Sequence, residues 1–251
     1  MTTKVVPGLL IAAPDPEGVA REAAARIGKM LRHAIDARGD VALAISGGES
    51  PLPAYRILAA DARIDWKRVR VFWVDERAVP PTSDRSNYRW AKESLLDPAK
   101  IPANHAHRIP GEAKDLDAAA RDYESLVRSL VKVRSDGGGV PAFDLMLLGI
   151  GDDGHTASLF PGEPQIDVTD RLFVPVPASA DGKREARVTM TVPLIENAHQ
   201  VVVIAIGRKK QGPLELVWQT HGDVHTTPAR IIRGVRGGIS WIIDKAAGGL
   251  G

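Results

Sequence analysis

One stretch, Phe143-Asp-Leu-Met-Leu-Leu-Gly-Ile-Gly-Asp-Asp-Gly-His-Thr-Ala-Ser-Leu-Phe-Pro-Gly162, carries both an architectural and a chemical signal. From Phe143 to Leu148 it is apolar except at Asp144, it is short, and Gly149 and Gly151 stop it. That is the pattern of a strand covered on both faces, the habit of parallel sheets under helices. The glycine-rich turn that follows holds Asp152, Asp153 and His155. The strand therefore delivers a polar loop beyond its carboxyl end, where open α/β sheets place their ligands.

Four further runs share this apolar, β-branched character: Val41 to Ile45, Val69 to Val74, Val201 to Ile206 and Ile239 to Ile243. Helical spacing occupies Glu17 to Arg38, Asn87 to Leu96 and Leu116 to Val133. Strands alternating with helices predict a doubly wound α/β fold, a mainly parallel sheet with helices on both faces. Breaks at Asp136 to Gly139 and at Ala178 to Gly182 suit surface loops and are too short to link independent domains. Residues 1–251 are expected to form a single domain, with Gly248 to Gly251 as a frayed end.

The 44% hydrophobic content supplies a substantial core for such a domain. With 33 Lys and Arg against 31 Asp and Glu, no global field draws the chain to nucleic acid or an anionic membrane, and an anionic ligand has to be met by local groups. The chain has no cysteine, which excludes a disulfide scaffold, thiolate zinc sites and a thiol nucleophile together. A reducing compartment fits. Residues Met1 to Ala13 contain an apolar patch, but Lys4, Pro7 and Gly8 interrupt it and no basic segment leads into a long apolar one. A mature cytoplasmic protein without a secretory leader is expected, and no run approaches the roughly 20 apolar residues that span a bilayer.

Three more polar clusters stand beside the His155 loop. Ser46-Gly-Gly-Glu-Ser-Pro51 follows one strand and precedes a helical pattern beginning at Tyr55. Glycines let backbone amides approach an anion, Ser50 adds a hydroxyl and a helix start favours negative charge, so Gly47, Gly48 and Ser50 are candidate phosphate contacts. An ordinary tight strand-to-helix turn has the same look, and Glu49 counts against an anion unless it points away. Asp75-Glu-Arg77 and Ser83-Asp-Arg-Ser-Asn-Tyr-Arg89 follow the next strand. Asp75 could position a base or bind sugar hydroxyls and Arg77 could fork onto a phosphate; alternatively the segment is an internal salt bridge with a helix N-cap near Ser86. Arg187 in Glu185-Ala-Arg-Val-Thr-Met-Thr191 and Lys210 in Gly207-Arg-Lys-Lys-Gln211 could close a phosphate site, although chemistry alone does not separate Arg208, Lys209 and Lys210.

In the first loop, His155 is the candidate general base near neutral pH and Asp153 the candidate for orienting its imidazole, while Asp152 is expected to be solvated or held by a backbone amide. His105 with His107, and His221 with His225, have metal-like spacing. Gly222 and Pro102 argue against rigid presentation, and without thiolates or a zinc-protease pattern no metal or other cofactor is expected.

Taken together, these segments resemble the 6-phosphogluconolactonase family, within the wider group that includes glucosamine-6-phosphate deaminases. The resemblance rests on the uninterrupted Gly149-Ile-Gly-Asp-Asp-Gly-His-Thr-Ala-Ser-Leu-Phe-Pro161 and on Asp75-Glu-Arg77 with the nearby Ser86-Asn-Tyr88. Ser46 to Pro51, with Glu and Ser where Ser and Thr are commoner, and Arg187 and Lys210 extend it over nearly the whole chain. It implies a doubly wound sheet with the site at strand ends, hydrolysis of 6-phospho-D-glucono-1,5-lactone in the oxidative pentose phosphate pathway, and a phosphate clamp of Arg187 and Lys210. The implied partner is a small sugar-phosphate lactone, with no nucleic acid, membrane or cofactor and no particular oligomeric state. The deaminase and isomerase branch also carries Asp-Gly-His but follows it, five residues later, with a glutamate that assists proton transfer; here that position is Phe160, and Arg77 stands where that branch has tyrosine. Both departures favour the lactonase over a glucosamine-6-phosphate deaminase/isomerase. A non-catalytic sugar-phosphate-binding module, usually fused to a DNA-binding segment, is the remaining alternative, and before Val41 the sequence has room for a single helical stretch.

Overall fold

The computed structural model describes residues 3–136 and 138–250. Its elements run β1 (Leu9–Ala13), α1 (Pro16–Arg38), β2 (Val41–Ile45), α2 (Leu52–Ala59), β3 (Val69–Trp73), β4 (Asp75–Arg77), α3 (Asn87–Ala91), β5 (Ala106–His107), α4 (Leu116–Leu130), β6 (Leu145–Gly149), β7 (Phe173–Val176), β8 (Arg187–Met190), α5 (Val192–Glu196), β9 (Gln200–Ala205), α6 (Gln211–Trp218), β10 (Gly238–Asp244) and α7 (Lys245–Gly248). Seven strands pair in parallel in the order β1-β10-β9-β6-β2-β3-β5. The five runs read as strands from the sequence are β2, β3, β6, β9 and β10.

From β2 the chain winds through β3 to β5 at one edge, then returns to β6 and winds through β9 to β10 in the opposite sense. Right-handed crossovers then place α1 and α2 on one face and α4 and α6 on the other. Winding reverses between β2 and β6, so the loops that leave these two strands splay apart and open a crevice. All five residues of β2 are buried, as the unbroken apolar run requires. The core is one contiguous cluster, with Trp73, Phe72, Phe143, Leu43, Ile45 and Trp241 fully enclosed.

Helix α1 shows how local signals fix an element. The Asp15 carboxylate accepts from the Gly18 amide at 2.7 Å, Pro16 opens the first turn, and Gly39 with φ +82° ends the helix. Its buried stripe of Val19, Ala23, Ile27, Leu31 and Ala34 keeps helical spacing and lies against the sheet. On the other face, the Tyr123 hydroxyl of α4 donates to the His107 carbonyl at 2.7 Å and accepts from the Trp73 amide at 3.0 Å, tying α4 to β3 and β5.

Three features differ from the sequence reading. The interrupted N-terminal patch contributes β1, paired with β10 along its whole length. A second, antiparallel sheet, β4-β8-β7, stands beside the main one, and it was hidden because its strands are short, charged in β4 and proline-containing in β7. The chain end is not frayed through Leu250: Asp244 caps α7 by accepting from Ala247, Gly249 closes it in the left-handed conformation, and the Leu250 amide donates to the Lys245 carbonyl at 3.0 Å. The rest of that expectation, at Gly251, lies outside the described residues, as does Gly137 in the Asp136 to Gly139 break. Among the described residues no helix is long and apolar enough to cross a membrane.

Burial, reinforced by Arg70 and His105, pulls the His107 imidazole down to about 4. Its ring stacks on Phe72 at 4.8 Å, and Nε2 is buried without a partner. Between the ordinary histidine value and about 4, the unfolded chain binds a proton that the folded chain refuses, so stability falls as pH falls. Solvent screening around this half-buried ring reduces the loss to about 2 kcal/mol over the whole interval. His107→Phe, which keeps the stack, is expected to flatten this dependence in thermal melts at about pH 7 and about pH 4.5. Parallel decline in both proteins would clear His107 of the effect.

Candidate active site

A cleft of about 690 Å³ opens at the carboxyl ends of β2 and β6. It is lined by residues from every cluster singled out in the sequence: Gly47, Gly48, Ser50, Asp75, Arg77, Asp153, His155, Arg187 and Lys210. The volume suits a ligand of hexose-phosphate size.

The loop after β2 is fixed at its start by the Tyr55 hydroxyl, which donates to the Ser46 carbonyl at 2.8 Å. A Cβ at Gly47 would overlap the Asn87 side-chain amide, so glycine is needed for Asn87 to reach Asp75. Gly48 turns with φ +84° and has open space where a side chain would be, while Glu49 is exposed.

The loop after β6 folds back on itself, with the Gly151 amide donating to the His155 carbonyl at 2.8 Å and the Gly154 amide to the Gly151 carbonyl at 3.1 Å. The Asp153 carboxylate reaches across this turn, accepting from the His155 amide at 3.1 Å and lying 2.5 Å from its Nδ1. A Cβ at Gly151 would overlap both partners. Burial raises the Asp153 carboxyl, but hydrogen bonds and charge from His155 outweigh it and hold the group at about 2. An ionised Asp153 keeps the ring proton on Nδ1 and leaves the Nε2 lone pair available. Among the described residues nothing hydrogen-bonds to Nε2.

Asp75 is buried and does not touch the imidazole. Its Oδ2 accepts from Ser158 Oγ at 2.6 Å and lies 3.5 Å from Arg187 Nη1; its Oδ1 accepts from Asn87 Nδ2 at 3.2 Å. Ser158 Oγ also accepts from Arg187 at 3.3 Å. Both Asp75 oxygens are thus engaged and one faces the guanidinium, the internal salt bridge that the sequence also allowed, while the carboxylate still lines the cleft. The N-cap near Ser86 is present too: Ser86 Oγ accepts from Arg89, and the buried Glu76 carboxylate accepts from the Arg77, Asn87 and Tyr88 amides. Burial raises the Glu76 carboxyl, against the pull of those amides. Arg77 Nη1 donates to the Arg85 carbonyl at 2.6 Å. The Nε atoms of Arg77 and Arg187 are buried without partners, while both residues line the cleft.

Lys210 separates from its basic neighbours by geometry. It ends the 3₁₀ turn Arg208–Lys210, its side chain is mostly covered, and Nζ donates to Asp152 Oδ1 at 2.6 Å. Asp152 is exposed, in keeping with the solvated alternative, and is ion-paired with Lys210, with Lys209 at 3.9 Å, rather than held by a backbone amide. The spaced pair His221 and His225 forms no helix face: His225 is bracketed by Asp223 and Asp167 at 2.9 and 2.8 Å.

Two contacts that organise the site escaped the sequence reading. Ser158, inside the quoted motif, bridges Asp75 and Arg187, and Asn87 fills the gap between the glycine loop and Asp75. The motif context was a signal for Ser158; the 83-residue separation from its carboxylate partner hid the contact. Phe160 stands behind the imidazole, ring centroids 4.5 Å apart.

This architecture is shared with known proteins. A 6-phosphogluconolactonase from Synechocystis sp. is 41% identical over 218 residues, spanning 87% of this chain and 88% of its own. A sequence model described as glucosamine-6-phosphate isomerases/6-phosphogluconolactonase matches residues 14–241. The chain belongs to that family. Among solved structures of the glucosamine-6-phosphate isomerase/6-phosphogluconolactonase family, the 6-phosphogluconolactonase from Trypanosoma brucei superposes with a TM-score of 0.85 at 27% identity, covering 97% of this chain and 98% of that one. A monomeric glucosamine-6-phosphate deaminase superposes with a TM-score of 0.80 at 20% identity, covering 97% and 100%, a likeness of fold alone. Fold does not divide the family by reaction; the side chains around His155 have to.

Proposed function

We propose that the chain hydrolyses 6-phospho-D-glucono-1,5-lactone to 6-phosphogluconate, the lactonase step of the oxidative pentose phosphate pathway, and that residues 1–251 act as one sugar-phosphate lactonase domain. The observation that carries this reading is an Asp153–His155 pair with free Nε2 in an anion-receptive cleft, backed by Phe160 where a proton-shuttling carboxylate would serve the isomerase chemistry. Of the other carboxylates lining the cleft, Asp75 is engaged by Ser158, Asn87 and Arg187, and Asp152 is paired with Lys210. The high identity to 6-phosphogluconolactonases supports the same assignment.

In this mechanism the Gly47–Gly48 loop with Ser50, Arg187 and Lys210 holds the phosphate, distant from the reacting carbon. Nε2 of His155 takes a proton from water as the water oxygen bonds to C1 of the lactone. The carbonyl electrons move onto oxygen, and the Arg77 guanidinium stabilises the oxyanion. Collapse breaks the bond from C1 to the ring oxygen, which receives the proton from Nε2. The products are one carboxylic acid and one free hydroxyl, with no change in oxidation state.

The test is the rate of loss of freshly prepared lactone with and without protein, because the lactone hydrolyses unaided and only the excess counts. No excess from folded protein, or ammonia release from glucosamine 6-phosphate in its place, would overturn the reading. Lys210→Ala is expected to raise KM about tenfold or more with a smaller change in kcat, since one charge-assisted phosphate contact is worth about 1.5–3 kcal/mol. An unchanged KM would remove Lys210 from the phosphate site.

A further inference from the structure

Phe160 is held from two sides. His155 leans on it at 4.5 Å between centroids, and the Arg184 guanidinium lies over its ring 3.9 Å from the centroid, close enough to stack. Arg184 is itself anchored: Nη2 donates to Glu163 Oε1 at 2.9 Å and to the Pro177 carbonyl at 3.3 Å, and its side chain is largely covered. Glu163 in turn hangs from the same turn as Phe160, its amide donating to the Phe160 carbonyl at 3.2 Å. A continuous column results, running Glu163, Arg184, Phe160, His155, Asp153: a carboxylate, a cation, two rings and a carboxylate.

We infer that Arg184 is a positioning residue for the reaction, acting through Phe160 to fix the plane of the His155 imidazole. Asp153 fixes only one point of that ring, Nδ1, and leaves rotation about the line through it to be set by packing. Phe160 supplies that packing surface, and the planar guanidinium sets the orientation of Phe160. Arg184 does not line the cleft, so its influence on the reaction passes through the two rings. Arg184 lies between β7 and β8, three residues before Arg187, whose guanidinium also lies over the Phe160 ring 5.4 Å from its centroid, so one segment supports both the base and the phosphate clamp. The role rests on His155 being the general base of the proposed lactonase.

The experiment pairs kinetics with nuclear magnetic resonance of the His155 ring protons in the substrate-free protein. Arg184→Ala is expected to lower kcat about tenfold with KM within about twofold of wild type, and to move the His155 ring resonances as the ring current of Phe160 shifts. Arg184→Lys, which keeps a cation over the ring and reaches Glu163, is expected to recover most of kcat. Wild-type kcat in folded Arg184→Ala, or unmoved His155 resonances, would overturn the inference. Should Arg184→Ala fail to fold, Glu163→Gln loosens the guanidinium without touching Phe160, and the same resonances are expected to move to a smaller degree; their constancy there overturns it equally. Moved resonances in a protein without lactonase activity would support the positioning role while refuting the assigned reaction.

Discussion

His155→Ala is expected to lower kcat on 6-phosphogluconolactone by about 10²–10⁴-fold while leaving the fold and phosphate binding nearly intact, the usual worth of a positioned general base. The side chain sits in a loop on the cleft wall, outside the hydrophobic core, so its loss removes little packing beyond the contact with Phe160. Asp153→Asn should approach the same loss by another route. The amide offers an N–H toward Nδ1, which favours the tautomer carrying its proton on Nε2, and that nitrogen then has no lone pair to accept from water. Because Asp153 titrates at about 2, an acid limb of the rate above about pH 4 cannot come from it. Near-wild-type excess hydrolysis by His155→Ala, measured against the spontaneous rate, would end the general-base assignment.

Arg187→Ala should have a double effect. Arg187 is largely covered, and its guanidinium is the charge that faces buried Asp75. Burial pulls the arginine below its ordinary value and the Asp75 carboxylate opposes that, the signature of a cation kept in place by its partner. Removing one partner of a buried pair costs about 3–5 kcal/mol, and Ser158 and Asn87 still satisfy Asp75, so about 3 kcal/mol is the better figure, or roughly 6–12 °C in Tm. KM should rise at least about tenfold as well. The double variant Asp75→Asn/Arg187→Ala separates the two: stability should largely return, because no uncompensated charge remains, whereas KM should stay high. If stability and KM recovered together, Arg187 would serve the fold and not the phosphate.

How much of this was legible in the chain depended on distance along it. The buried strands announced themselves because a run such as Val41 to Ile45 has to be apolar at every position when both faces are covered. β4 gave no such signal: Asp75-Glu-Arg77 reads as a charged turn, and becomes a strand only because β8, far along the chain, pairs with it. The same holds in the site. The turn linking Asp153 to His155 spans two residues and could be anticipated; Asp152 with Lys210 spans 58, and nothing local to Asp152 distinguishes an ion pair from solvation. Glu76 was a further blind spot, since a buried carboxylate capping three amides looks like surface charge until the helix it caps is seen.

The adjacency of β2 and β6 has a kinetic side. The Ala42 amide rests on the Asp144 carboxylate across 102 residues, and the glycine loop and the His155 loop hang from those two strands. Neither half of the chain can display the cleft before that long closure is made, and closures of this length are slow because chain entropy is lost before contacts repay it. Catalytic competence should therefore be among the last properties to return on refolding, trailing the recovery of helical signal from α1.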